Sequence, residues 1–171
     1  MRLLCISIFT LCLSSLLIAK GKKQPPVAIT FHTEASDLQS KKLTFEVDTP
    51  KGKRFMSKSP FIMTSDIVAY NTFPSPHNPE FFGCSFQLNR AGASRLKMTS
   101  GQFAGKWIMC AINGQVIDMI YIDRQIDGRV ITVWRGIDPA MAQLLDNLYP
   151  RIGETPEAWK VRKKAEAKAQ R

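Results

Sequence analysis

The sequence predicts an α+β fold with a mainly antiparallel sheet and two helices packed on one face of it. Several segments alternate apolar and polar residues with a period of two, as half-buried strands do. Two further segments combine a polar cap with apolar residues at helical spacing. Asn113-Gly114 between two apolar runs is a strong hairpin signal, and hairpins pair strands antiparallel. The length of 171 residues fits one compact domain, predicted over residues 22–150.

In the first half of the chain we expect strands at 27–32 and 42–48 and short extended pieces at 54–58, 61–63 and 67–70. Residues 71–83 contain three prolines and are expected to form a long irregular loop, because proline fits neither a helix interior nor a central strand.

The second half predicts a strand at 85–88, a helix at 90–98 capped by Asn89, and a three-strand meander. The expected meander strands are 107–112, 116–122 and 130–134. Asp138 and Pro139 then begin a helix with a leucine-rich face, which Pro150 ends. Both helices carry apolar stripes, so we expect them to cover one face of the sheet.

Residues 1–21 have the pattern of a signal peptide, since residues 3–19 carry no charge. The small residues Ala19 and Gly21 stand at the two positions that signal peptidase recognises. An uncleaved anchor is the alternative, because Lys20, Lys22 and Lys23 follow the apolar run. Either state places the body outside the cytoplasm, in the periplasm or secreted. Such a compartment permits disulfides, so Cys84 and Cys110 are either bonded or two buried thiols.

The C-terminal segment 151–171 is basic, with seven cations against three anions. No apolar stripe continues beyond Trp159 and Val161, so we expect a frayed helix or a disordered end. The alternative function is docking on an anionic membrane surface or an acidic partner. The basic residues proposed for these contacts are Lys160, Arg162, Lys163, Lys164 and Lys168. Aromatic residues do not interleave with these cations, so no nucleic-acid partner is expected.

The sequence contains no motif for a catalytic, metal or cofactor site, and we expect a non-enzymatic protein without a cofactor. His32 is expected to be exposed or hydrogen-bonded on a strand, and His77 to lie in the proline loop. Asp118, Asp123 and Asp127 are expected to form surface ion pairs with the neighbouring arginines at 124, 129 and 135. The weakest hypothesis is an envelope hydrolase that uses His32 or these aspartates.

An ordered series of short motifs extends from residue 64 to residue 148. Its members are Thr64-Ser65-Asp66-Ile67-Val68-Ala69, Phe86-Gln87-Leu88, Gly92-Ala93, Thr99, Gly105-Lys106, Ala111-Ile112-Asn113-Gly114, Val116-Ile117, Ile126-Asp127-Gly128 and the segment 142–148. The series resembles the head subdomain of the first periplasmic domain of SecD, an accessory subunit of bacterial protein export. Ile120 stands where that family has proline, Asp127-Gly128 where it often has two glycines, and Val133-Trp134 where it has a later glycine. The resemblance implies a stand-alone head-like module and does not imply a complete export motor.

Aromatic residues flank the proline loop, and with His77 they form the candidate partner-binding site: Tyr70, Phe73, Phe81 and Phe82. These rings either cap the edge of the core or form an exposed patch that binds extended or unfolded polypeptide. The sequence therefore predicts an exported, non-catalytic protein-binding module that contacts secreted chains or an envelope partner.

Overall fold

A computed structural model describes residues 26–36, 39–49 and 52–169 of the chain. The predicted signal peptide at 1–21 lies outside these residues. The strands are β1 (Ile29–Thr33), β2 (Thr44–Thr49), β3 (Gly52–Ser57), β4 (Ile62–Met63), β5 (Ile67–Pro74), β6 (Phe82–Leu88), β7 (Trp107–Ile112), β8 (Gln115–Tyr121) and β9 (Val130–Ile137). The helices are α1 (Arg90–Gln102), α2 (Pro139–Leu148) and α3 (Pro156–Ala169).

The described strands form three antiparallel sheets, which confirms the predicted α+β class. Their orders are β4-β1-β7-β8, β5-β6-β9 and the hairpin β2-β3. The two larger sheets share one core, since the rings of Phe31 in β1 and Phe86 in β6 meet edge to face at 6.0 Å. Leu96 of α1 and Leu145 of α2 are fully buried in the same core, so both helices close it as expected.

Strands β1 and β7 are buried on both faces. Phe31 and Cys110 point into the main core, whereas Met109 joins a smaller cluster with Met56 of β3 and Ala111. The hairpin β2-β3 covers this second face. Strand β1 was predicted to be half-buried, and this is wrong, because His32 on its second face is only 9% exposed; of the two alternatives for this residue, the structure has the hydrogen-bonded one. The alternation of residues within β1 could not reveal this burial, because the hairpin that covers the second face comes from a different part of the chain.

The local turn and cap signals are confirmed. Asn113 and Gly114 have φ angles of 51° and 81°, as a tight hairpin between β7 and β8 requires. The side chain of Asn89 accepts a hydrogen bond from the Gly92 N–H, and that of Asp138 accepts one from the Met141 N–H. Helix α1 ends at Gln102, four residues beyond the predicted end at 98.

Two predictions about the path of the chain are wrong. Strand β9 does not complete a meander beside β8, because it pairs antiparallel with β6 in the other sheet. The expected loop at 71–83 is shorter, since β5 extends to Pro74 and β6 begins at Phe82. Pro74 is tolerated because β5 is an edge strand, where a missing N–H leaves no sheet partner unpaired.

Helix α3 gives the described part of the chain a third helix. None of its residues is buried, so apolar packing contributes little to its position. Within residues 26–36, 39–49 and 52–169, no helix is both long and apolar enough to cross a membrane.

Candidate functional site

Two of the five predicted partner-binding residues belong to the core. Tyr70 is 2% exposed, and its hydroxyl donates a hydrogen bond to the carboxylate of Asp146 in α2. Burial raises the pKa of Tyr70, and the bond to Asp146 raises it further. Phe82 is half-buried and packs against the main core. These two rings cap the core. The accessible part of the candidate site therefore lies among the other three predicted residues.

Phe73 is half-buried and pairs with the exposed ring of Trp134 on the outer face of the sheet β5-β6-β9. It lies opposite Gly83 of β6, and a Cβ at Gly83 would stand only 2.3 Å from its Cε2 atom. The missing side chain thus lets the ring lie over the neighbouring strand. The ring meets Trp134 of β9 edge to face at 5.7 Å, and Trp134 is 51% exposed.

A recess of about 310 Å³ opens at Arg135 and Gly136, which follow Trp134 in β9. Its lining residues are His77, Asn78, Phe81, Ile117, Arg135 and Gly136. The loop 75–81 forms one wall. The Ser75 hydroxyl donates to the Trp134 carbonyl at 2.9 Å, and the Ser75 N–H donates to the Phe81 carbonyl at 3.0 Å. These bonds hold the backbone of the loop against the backbone of Trp134. We call Phe73, His77, Phe81 and Trp134 the aromatic rim.

Asp118 of β8 joins the two larger sheets behind the rim. Its carboxylate accepts hydrogen bonds from the Trp134 N–H at 2.8 Å and from Arg135 Nε at 2.9 Å, and it is only 5% exposed. The expected ion pair with an arginine is present, but the carboxylate is buried and not on the surface as predicted. Because one carboxylate fixes two consecutive residues of β9, the backbone of Trp134 is held rigidly.

The other candidate acid–base residues lie apart. The Nδ1–H of His32 donates to the Ser57 carbonyl at 2.9 Å, and the Nε2 atom of the ring lies 3.0 Å from Thr30 Oγ1. Burial lowers the pKa of His32, and the contact with Ser57 only partly offsets this effect. Asp127 forms an exposed ion pair with Lys97 at 2.9 Å. Across the described residues, no three histidine, cysteine or acidic side chains come together in a metal-binding arrangement.

Cys84 and Cys110 are free, buried thiols of the main core. The disulfide that the sequence left open is therefore not formed in this structure. Burial raises the pKa of Cys84 to about 12 and also raises that of Cys110. The two side chains serve as small apolar residues of the core.

The basic C-terminal segment is docked on the body through ion pairs. In α3, Arg162 and Lys163 both contact Asp146 of α2, at 2.7 and 2.8 Å. Burial acts to raise the pKa of Asp146, but hydrogen bonds from Lys163, Tyr70 and Arg162 outweigh it and hold the pKa well below its usual range.

This docking divides the five predicted tail contacts into two groups. The expectation that the tail has little to pack with is wrong for Arg162 and Lys163, because Asp146 provides a charged partner. Lys160, Lys164 and Lys168 are exposed. Their spacing of four residues places them along one side of α3, away from the docked face.

No protein-family model matches the chain, and neither does any curated protein. The solved structures that are similar to it include two of SecDF. One is of SecDF, a membrane component that enhances protein export; it has a TM-score of 0.49 and 14% identity over 70% of this chain and 60% of that chain. The other is a crystal structure of SecDF in its super-membrane-facing form, with a TM-score of 0.46 and 15% identity over 65% of this chain and 17% of that chain.

This chain spans less than two thirds of the length of either SecDF chain. The comparisons do not single out the head subdomain, so the resemblance of residues 64–148 to the SecD head stays a prediction.

Sequence reasoning missed Trp134, which is 51% exposed. The signal was present, because Val130, Thr132 and Trp134 alternate with the buried Ile131 and Val133. Period-two alternation places Trp134 on the outer face. Only the pairing of β9 with β6 brings that face next to Phe73, and this pairing joins strands far apart in the sequence.

Proposed function

We propose that this chain is an extracytoplasmic, non-catalytic module that binds an extended polypeptide segment through the aromatic rim. The observation that carries the proposal is the edge-to-face pair of Phe73 and Trp134, with Trp134 exposed on a strand that Asp118 holds in place. Exposed aromatic rings on a rigid scaffold are typical anchors of protein recognition, because they bury a large area at a small cost in side-chain entropy.

The size of the recess suits a single side chain of a longer ligand. Its volume of about 310 Å³ is at the lower end of the range for small-molecule sites, and it is open to solvent. Phe81 and Ile117 supply apolar wall, and Arg135 supplies a cation that is 54% exposed. An apolar residue of an extended chain fits between them while its neighbours contact Trp134.

The proposed ligand class is a secreted or unfolded polypeptide. SecDF is a membrane component that enhances protein export. The motif series at 64–148 resembles the SecD head, and the leader pattern at 1–21 suits an exported protein. These sequence features support placing the module where exported chains pass.

Replacement of Trp134 by alanine tests the proposal. Binding of a fluorescently labelled, reduced and carboxymethylated model protein is followed by anisotropy. We expect the dissociation constant to rise about tenfold or more, as for an aromatic residue at the centre of an interface. Tyr121→Ala is the matched control, because Tyr121 is 52% exposed and also packs edge to face on one ring, that of Trp107. Equal affinities of the Trp134 variant and the folded wild-type protein would rule out the rim.

A second candidate is docking on an anionic membrane surface through the outward lysines of α3. The observation in its favour is the stripe of Lys160, Lys164 and Lys168, all exposed and four residues apart. Each lysine near an anionic surface contributes about 1 kcal/mol at most. Sedimentation with phosphatidylserine vesicles tests it: replacing all three by glutamine removes binding if the stripe is the contact, and leaves it unchanged if it is not.

A further inference from the structure

The segment 150–152 lies along the outer edge of β5. The Tyr70 N–H donates to the Pro150 carbonyl at 3.1 Å, and the Ile152 N–H donates to the Tyr70 carbonyl at 2.8 Å. Tyr70 and Arg151 therefore form a parallel bridge. We call residues 150–169, which continue into α3, the strap. The strap occupies backbone groups that an edge strand otherwise offers to a further strand.

The strap covers only part of this edge. Tyr70 directs its N–H and C=O away from β6, and in an antiparallel pair the next residue to do so is Thr72. Among the described residues, the backbone bonds from the strap to β5 end at Tyr70. Pro74 has no N–H and limits the edge on the other side. The open part at Thr72 is adjacent to Phe73 of the aromatic rim.

The fastening of the strap is mostly ionic. Arg162 and Lys163 connect α3 to Asp146, and Lys163 also donates to the Asn147 side chain at 3.0 Å. Helix α3 has no buried residue. Trp159 is partly buried, but its indole N–H has no partner among the described residues. Ion pairs near the surface are weakened by salt and by competing charges, so such a strap can be displaced while the core stays intact.

We propose that the strap is a displaceable occupant of a strand-addition site on β5. The ligand is an extended segment of another polypeptide with apolar residues at alternate positions. Its backbone pairs with Thr72 and, once the strap has lifted, with Tyr70, while a side chain on the outer face meets Phe73 on the adjacent strand. This inference rests on the proposed function and specifies the binding mode and its control.

The test removes two cations from the docked face of α3 and, as a control, two from its exposed face. The variants are Arg162→Gln with Lys163→Gln and Lys160→Gln with Lys164→Gln, which lose the same net charge. Amide hydrogen exchange at Tyr70 and Ile152 reports strap opening, and anisotropy with the labelled unfolded protein reports binding. In the docked-face variant we expect exchange to rise at least tenfold and the dissociation constant to fall at least threefold. The exposed-face variant should change neither.

Two results would overturn the inference. Unchanged exchange at Ile152 in the docked-face variant means that these ion pairs do not hold the strap. Faster exchange with unchanged affinity means that the ligand does not use the β5 edge. In both cases the effect of Trp134→Ala in the otherwise wild-type chain decides separately whether the aromatic rim binds polypeptide.

Discussion

Replacing Asp118 by alanine should destabilise the protein strongly, although the residue has no catalytic context. The variant removes the acceptor of the Trp134 N–H, at 2.8 Å, in a place where Asp118 is only 5% exposed. A buried donor left without a partner costs about 1–3 kcal/mol. Arg135 adds roughly 1 kcal/mol at most, because its side chain is 54% exposed and water can replace the carboxylate.

The sum is a loss of roughly 1–4 kcal/mol in the free energy of unfolding. For a chain of this size, that lowers the melting temperature by roughly 2–16 °C. Urea unfolding followed by circular dichroism measures the change. Asp127→Ala is the control, since Asp127 is 69% exposed in its pair with Lys97, and its loss should stay within about 0.5 kcal/mol. Similar midpoints for both variants would refute the role of Asp118 as the link between the sheets.

Two further perturbations test other close contacts. Gly136→Ala should lower the free energy of unfolding by about 2–4 kcal/mol, because φ is +85° and the new Cβ would stand 2.8 Å from the Ile117 carbonyl oxygen. The control is Gly153→Ala, where φ is +87° but no atom lies within 4 Å, and the loss should be only about 1 kcal/mol. Equal losses in urea titrations would contradict the steric argument. Burial lowers the pKa of His32, so the unfolded chain binds a proton at this residue more readily than the folded protein does. The free energy of unfolding is therefore highest above pH 6.5 and decreases as the pH falls. His32→Gln should flatten this dependence between pH 7 and 5, whereas His77→Gln in the exposed loop should retain it.

The sequence predicted those elements whose signals are local. The hairpin at Asn113-Gly114 requires two consecutive residues with positive φ, and few residue pairs other than this one adopt that geometry readily. The helix starts at Asn89 and Asp138 are set by side chains that accept from N–H groups three residues later. In each case the physical cause lies within a few residues of the element that it defines.

The missed features depend on contacts between distant segments. Strand β9 has the alternation of a strand, but nothing in it specifies β6 over β8 as its partner. The docked face of α3 carries Trp159, Arg162, Lys163 and Glu166 at helical spacing, yet a search for apolar stripes overlooks it. The sequence predicted the loop of the candidate site, with Phe73 and Phe81. It did not predict Trp134, which reaches Phe73 only because β9 pairs with β6.

The hairpin β2-β3 rests on a small cluster in which Met56, Met109 and Ala111 are the buried residues. Because this cluster encloses little apolar area, we expect the hairpin to open at a lower free energy than the main core. When the hairpin opens, the sulfur atoms of Met56 and Met109 become accessible to oxidants. Their conversion to sulfoxides would place polar groups under the hairpin and prevent it from closing again.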